Sequence, residues 1–239
     1  MRVPVVRWLG AFLFHALAML AVAGEAKPAH RGFTYDVSAI TAAELREEIV
    51  TVMNEQIDMV LAMGLSAKTI KDLQAVPISV IHAYSIGPGR YAPARGVEMA
   101  SMIVAVRKRP VLIHELMHAY HDRLLAGGVR NRDVLKWHDE AKKGALYAEK
   151  SHMLSTVGEF FACSTTTYLA GATAQEPFKR ATLKERQPEW FAYLQKLFGE
   201  GAGKYEGEQA PVDMRRLQEM RQKYPETHPP TKQKKKKSP

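Results

Sequence analysis

"VLIHELMHAYHD", residues 111–122, sets three histidines and two acids behind an apolar lead. Gly127-Gly128 stops the run, and Pro110 is well placed to open it, so one helix over 111–126 is expected. Within it His114, Glu115 and His118 form His-Glu-x-x-His. Residues four apart share a helix face, ~6 Å apart along the axis, so two imidazoles so placed can hold one tetrahedral metal. Glu115 then projects beside them, positioned as a general base toward a water. His121 does not fit the same ion. It lies seven residues from His114, ~10 Å along a straight helix, and is assigned to a supporting role behind the ligands. The longer pattern with a third histidine on this segment also fails, because His121 takes its Gly position and Leu124 its His position.

A third ligand must come from elsewhere. Asp133, His138, Asp139, Glu140, Glu149, His152 and Glu159 lie downstream, most of them in polar stretches where charged side chains are ordinarily solvated. Glu159 differs. It is a lone carboxylate in "TVGEFFACSTTTYL", 156–169, and an acid embedded in an apolar helix needs a partner or a metal. Glu159 is the expected third metal ligand.

Around this segment the chain reads as one α+β domain from about 30 to 200. "TAAELREEIVTVMNEQIDMVLAMG", 41–64, is a helix with a Thr41/Glu44 capping box and a Gly64 stop, and Ser66 caps a shorter one. "PISVIHAY", 77–84, and "VEMASMIVAV", 97–106, read as strands around a turn-rich loop, "SIGPGRYAPARG". The second strand could be an edge that aligns a substrate backbone. A polar stretch to about 151 precedes the Glu159 helix, and "QPEWFAYLQKLFG", 187–199, is a late amphipathic helix.

The ends carry different signals. Arg2 and Arg7 precede a mostly apolar run, 8–23, which closes on small residues, so 1–26 reads as a signal peptide and the product as secreted or periplasmic. With a single cysteine, Cys163, no intramolecular disulfide can form, and no lipid-attachment cysteine or membrane anchor follows the apolar run. Residues 201–239 read as a basic, disordered tail with one short helix around 211–222. Its last nine positions hold five lysines, which account for more than half of the formal charge of +9. Such a run can tether a protein to an anionic surface, but without interleaved aromatics it does not indicate specific nucleic-acid binding. A monomer is expected.

"PVLIHELMHAYHDRLL" followed by "GEFFA" resembles the secreted zinc metallopeptidases related to anthrax lethal factor and the Pro-Pro endopeptidases. These are gluzincins, in which a second helix brings a Glu ligand within a Glu-aromatic-Phe-Ala signature. The resemblance extends more weakly from "VPISVIHAY" to "EPFKRATLKERQPEWFAYLQKLFG". It implies a zincin-like domain with a small mixed sheet, zinc bound by His114, His118 and Glu159, and Glu115 as general base. Relatives place a Tyr seven residues before the Glu ligand to stabilise the oxyanion. Here that residue is His152, which can donate the same hydrogen bond. They also carry an acid four residues after the ligand, where this chain has Cys163, a supporting residue behind the metal.

The expected function is therefore hydrolysis of peptide bonds in a peptide or protein substrate. Two alternatives remain. One is zinc-assisted hydrolysis of a non-peptide amide. The other is a catalytically weak or inactive homologue acting as a binding protein at an anionic envelope surface. Glu115 favours an enzyme, whereas His152 and Cys163 favour the inactive homologue.

Overall fold

The computed structural model describes residues 27–208 and 210–226. The expected signal segment and the lysine run lie outside them. Helix α1 (Ala43–Ala62) buries Leu45, Ile49, Val52, Met53, Ile57 and Val60 on one stripe, as its 3.6-residue spacing predicts. Its expected capping box does not form. The N-cap is Ala42, without a side-chain cap, and Glu44 instead binds Lys223 and the Tyr224 hydroxyl. Gly64 ends the segment at φ +73°, and a Cβ there would meet the Gly201 carbonyl oxygen at 2.1 Å. Ser66 does cap α2 (Ala67–Gln74), accepting from the Thr69 amide at 3.1 Å.

A hairpin of β1 (Ala29–His30) and β2 (Phe33–Thr34) precedes a separate three-stranded sheet. Its strands are β3 (Ile78–Ile81), β4 (Gly89–Ala92) and β5 (Gly96–Ala100), in the order β3-β5-β4. β5 pairs parallel to β3 and antiparallel to β4. Two expectations are corrected here. The second strand stops at Ala100, and Ser101–Val106 coils into a 3₁₀ turn with five of its six residues buried. The outer strands are β3 and β4, the latter formed within the supposed loop, whereas β5 is buried at every position and central. Glu98 at its centre is buried too, its carboxylate met by Arg90 and Arg95.

Helix α3 (Val111–Ala119) carries the opening motif and widens into a π turn at Tyr120–Leu124, where the Leu125 amide bonds the Tyr120 carbonyl at 2.8 Å. The polar stretch expected next contains a helix, α4 (Arg132–Lys143), capped by Asn131 and burying only Val134, Trp137, His138 and Ala141. α5 (Val157–Ala170) is buried along most of its length and forms the centre of the domain. Around it follow α6 (Arg180–Arg186), α7 (Pro188–Phe198) and α8 (Met214–Lys223). Trp190 of α7 donates its indole N–H to Ser164 of α5 at 3.0 Å.

The packed domain does not end near 200. Leu217 and Met220 of α8 are buried in the common core, and the Asp213 amide bonds the Ala105 carbonyl at 2.8 Å. The segment reads as a tail because α8 is polar apart from Met214, Leu217 and Met220, of which only the last two are buried. Among the described residues no helix is long and apolar enough to cross a membrane.

Candidate metal centre

α3 and α5 lie side by side, and their contact builds the site. Thr156 caps α5, its hydroxyl accepting from the Glu159 amide at 3.0 Å, which fixes Glu159 in the first turn. The Glu159 side chain then turns toward α3. Its Oε2 lies 3.5 Å from His114 Nε2, 3.4 Å from His118 Nε2 and 2.9 Å from His152 Nε2. The His114 and His118 rings stand nearly perpendicular, with centroids 4.9 Å apart. Gly158 faces His118, where a Cβ would make an ordinary contact with Nδ1 at 3.6 Å.

The three imidazoles surround one oxygen without serving it as hydrogen-bond donors. Oε2 is buried, and no aligned hydrogen bond reaches it despite those short distances. The separations suit a shared cation better. Ligands held ~2.1 Å from a tetrahedral ion sit ~3.4 Å from each other, close to the distances from Glu159 to His114 and His118. His152, at 2.9 Å, stands closer to the carboxylate than two ligands of one such ion would. Imidazoles and a carboxylate are donors of the kind that hold a metal ion.

Cys163, one turn along α5, adds a donor. Ligand atoms of His114, Glu159 and Cys163 all lie within 4.8 Å of one another, a group able to hold a metal. Burial pushes the thiol pKa up, and the charges of Glu159 and Glu115 push it further. The thiol donates to Gln175 Oε1 at 3.4 Å. Burial likewise opposes ionisation of Glu159, but the His114 and His118 imidazoles outweigh it and hold its carboxyl well below the usual range.

Glu115 is 6% exposed, and burial raises its pKa against the opposing pull of His114 and His118. It fits because residue 89 of β4 has no side chain. A Cβ on Gly89 would lie 3.0 Å from Glu115 Cγ and 3.1 Å from its Oε1. Both carboxylates and all three histidines line one cleft of about 660 Å³, walled by β4, α3, α5 and residues 173–175.

His121 points away from this cleft. It is 1% exposed, stacks on Phe161 with centroids 4.8 Å apart, and is held neutral by burial with a pKa of about 4. His138 is also buried, 3.2 Å from the Leu154 carbonyl, and Tyr147 donates to Gln187 at 3.1 Å. Neither lines the cleft. Tyr91 was not foreseen. Its ring lies parallel to that of His118 at 6.5 Å, and its hydroxyl donates to Asp122 at 2.6 Å, bracing the ligand helix from β4. Burial, then the bond to Asp122, raises its pKa to about 12. A four-residue strand inside a Gly- and Pro-rich segment is too short to signal such a role.

No family profile matches the chain, and no curated protein matches it. Among solved structures it is similar to the Pro-Pro endopeptidase of Paenibacillus alvei, at 16% identity and a TM-score of 0.45, over 69% of this chain and 97% of that one. A likeness at that level leaves the chemistry to be argued from this chain's own residues.

Proposed function

We propose that this chain is a zincin-type, zinc-dependent peptidase of the gluzincin kind, acting outside the cytoplasm. The observation that carries the reading is the convergence of His114, His118 and Glu159 beside a buried Glu115 in one cleft. His114, His118 and Glu159 would hold the zinc, which when bound supplies Lewis acidity and lowers the pKa of water to near 7.

The chain's own groups supply the rest. Glu115, its pKa raised by burial, accepts a proton from the attacking water and delivers it to the leaving amine nitrogen as the C–N bond breaks. His152 sits across the Glu159 carboxylate and can donate a hydrogen bond to the oxyanion that develops at the scissile carbonyl. The free edge of β4 offers backbone groups along which an extended peptide can pair.

A second reading has its own observation. The 2.9 Å approach of His152 to Glu159 would tie up both the oxyanion donor and the ligand if it persisted with metal, leaving a metal-binding scaffold without turnover. Bound zinc and cleavage of a diverse peptide library, measured for the wild type, Glu115→Gln, Glu159→Ala and His152→Ala, separate the two. The peptidase reading expects Glu115→Gln to keep zinc and lose activity by at least about 100-fold. Glu159→Ala should lose zinc. Zinc retention with no cleavage by the wild type supports the scaffold, and full activity in Glu159→Ala removes that ligand.

A further inference from the structure

The cleft continues past the metal ligands. Its far end is lined by Arg109, Pro110 and Val111 at the start of α3, by Thr166 of α5, and by 173–175. Arg109 is half-buried and locked in place. Its Nε donates to the Ala210 carbonyl at 2.8 Å, and its own carbonyl accepts from Gln56 at 2.8 Å. Its neighbours in the chain have acidic partners, Arg107 with Glu55 and Lys108 with Glu208, and Arg90 across the cleft pairs with Glu98. Arg109 makes no ion pair among the described residues, and burial alone pulls its pKa down. A partly desolvated guanidinium without a counter-charge is unfavourable until a carboxylate meets its planar fork. Thr166 repeats the pattern. It is 2% exposed, lines the same end, and its hydroxyl has no hydrogen-bond partner.

Chain direction says which part of a peptide would arrive there. Gly89 of β4 abuts Glu115 and Tyr91 lies against His118, so β4 and α3 run the same way along the cleft. A peptide pairing antiparallel to β4 therefore runs from the Tyr91 end toward Arg109, and Arg109 meets residues on the C-terminal side of the scissile bond. Arg109 precedes His114 by five positions and stands just ahead of α3, beyond the metal ligands on that side.

We infer that this cleft selects peptides with a carboxylate on the C-terminal side of the scissile bond, received by Arg109. The inference rests on the peptidase reading above. The carboxylate comes either from a chain's own C-terminus or from an Asp or Glu side chain within a longer peptide.

The test uses zinc-loaded Glu115→Gln protein and N-terminally labelled, degenerate peptide pools built from uncharged residues, with affinity read by fluorescence anisotropy. Tetrapeptide pools end in a free acid or an amide. Octapeptide pools, all amidated, carry Glu or Gln at the sixth position. The acid member of at least one pair should bind about tenfold tighter or better, as a charge-assisted hydrogen bond provides. The pair that responds identifies the source. Adding Arg109→Gln should erase the difference at unchanged zinc content and melting temperature, and Arg109→Lys should restore part of it. Equal binding of acid and amide in both pairs overturns the proposal without any variant, as does a preference that survives Arg109→Gln. Acid peptides bound through Arg109 but never cleaved by the wild type would sink the peptidase reading and leave the carboxylate site. Cleavage indifferent to the carboxylate would do the reverse.

Discussion

Single residues decide whether the cleft can work, and Gly89 is the sharpest case. Its φ is not positive, so the constraint is space: a methyl group would press on Glu115 at 3.0 Å. Gly89→Ala is expected to lower kcat by about tenfold or more through a displaced base, with zinc content unchanged, since misplacement by ~1 Å is enough. Steady-state kinetics beside metal analysis checks this. His121 makes a different prediction. Its folded pKa of about 4 lies below the ordinary 6.5, so the unfolded chain binds more protons between those values. Its contribution to stability is complete above pH 6.5 and is lost as pH falls toward 4. The size is up to about 3 kcal/mol, from 1.36 kcal/mol per pKa unit. Denaturant titrations of His121→Phe should show a shallower loss over that window, with His138, also lowered by burial, retaining its own part. An unchanged slope would place the acid sensitivity elsewhere.

At the scale of elements, α1 was legible because burial on one side writes a period into its sequence, α3 and α5 because they are apolar runs buried nearly all round, and Gly64 and Thr156 punctuate the pattern as expected. Glu159 was legible for a related reason, as a charge where the surroundings are apolar. α4 was not. Only a few apolar positions mark its buried face, and its polar surface reads as a loop. β4 and the cap of α3 escaped because both are set by distant chain. Gln56 of α1 donates to the carbonyls of Arg107 and Arg109 at 2.7 and 2.8 Å and accepts from the amides of Val111 and Leu112 at 3.1 and 3.0 Å. Every polar valence of its amide is used, inside the core. Gln56→Leu strands these backbone groups and should cost about 3 kcal/mol or more, at 1–3 kcal/mol for each buried group left unpaired. Urea denaturation measures it, and a loss below about 1 kcal/mol would mean that water replaces the amide.

The whole molecule is closed by its C-terminal segment. Arg216 pairs with Glu48, Lys223 with Glu44, and Arg221 donates to the Tyr84 carbonyl at 3.1 Å. Glu226 receives the Tyr84 amide and the Ser85 hydroxyl, and these residues run directly into the cleft wall at 86–89. The surface ion pairs count for little individually, so the gain lies in the buried Leu217 and Met220. Ending the chain after residue 210 should cost about 3–5 kcal/mol for those two side chains and raise KM, while zinc content holds. Thermal melts and kinetics of the truncated protein test both halves of that expectation.

The Gln56 cap also makes the ligand helix observable. The amide protons of Val111 and Leu112 are held by a side chain from another helix, so they become free to exchange with solvent deuterium only when α1 and α3 part. Their exchange clock therefore reports the integrity of the scaffold under the histidines. Metal removal that leaves these two amides slow has emptied the centre alone, whereas removal that speeds them has opened the protein.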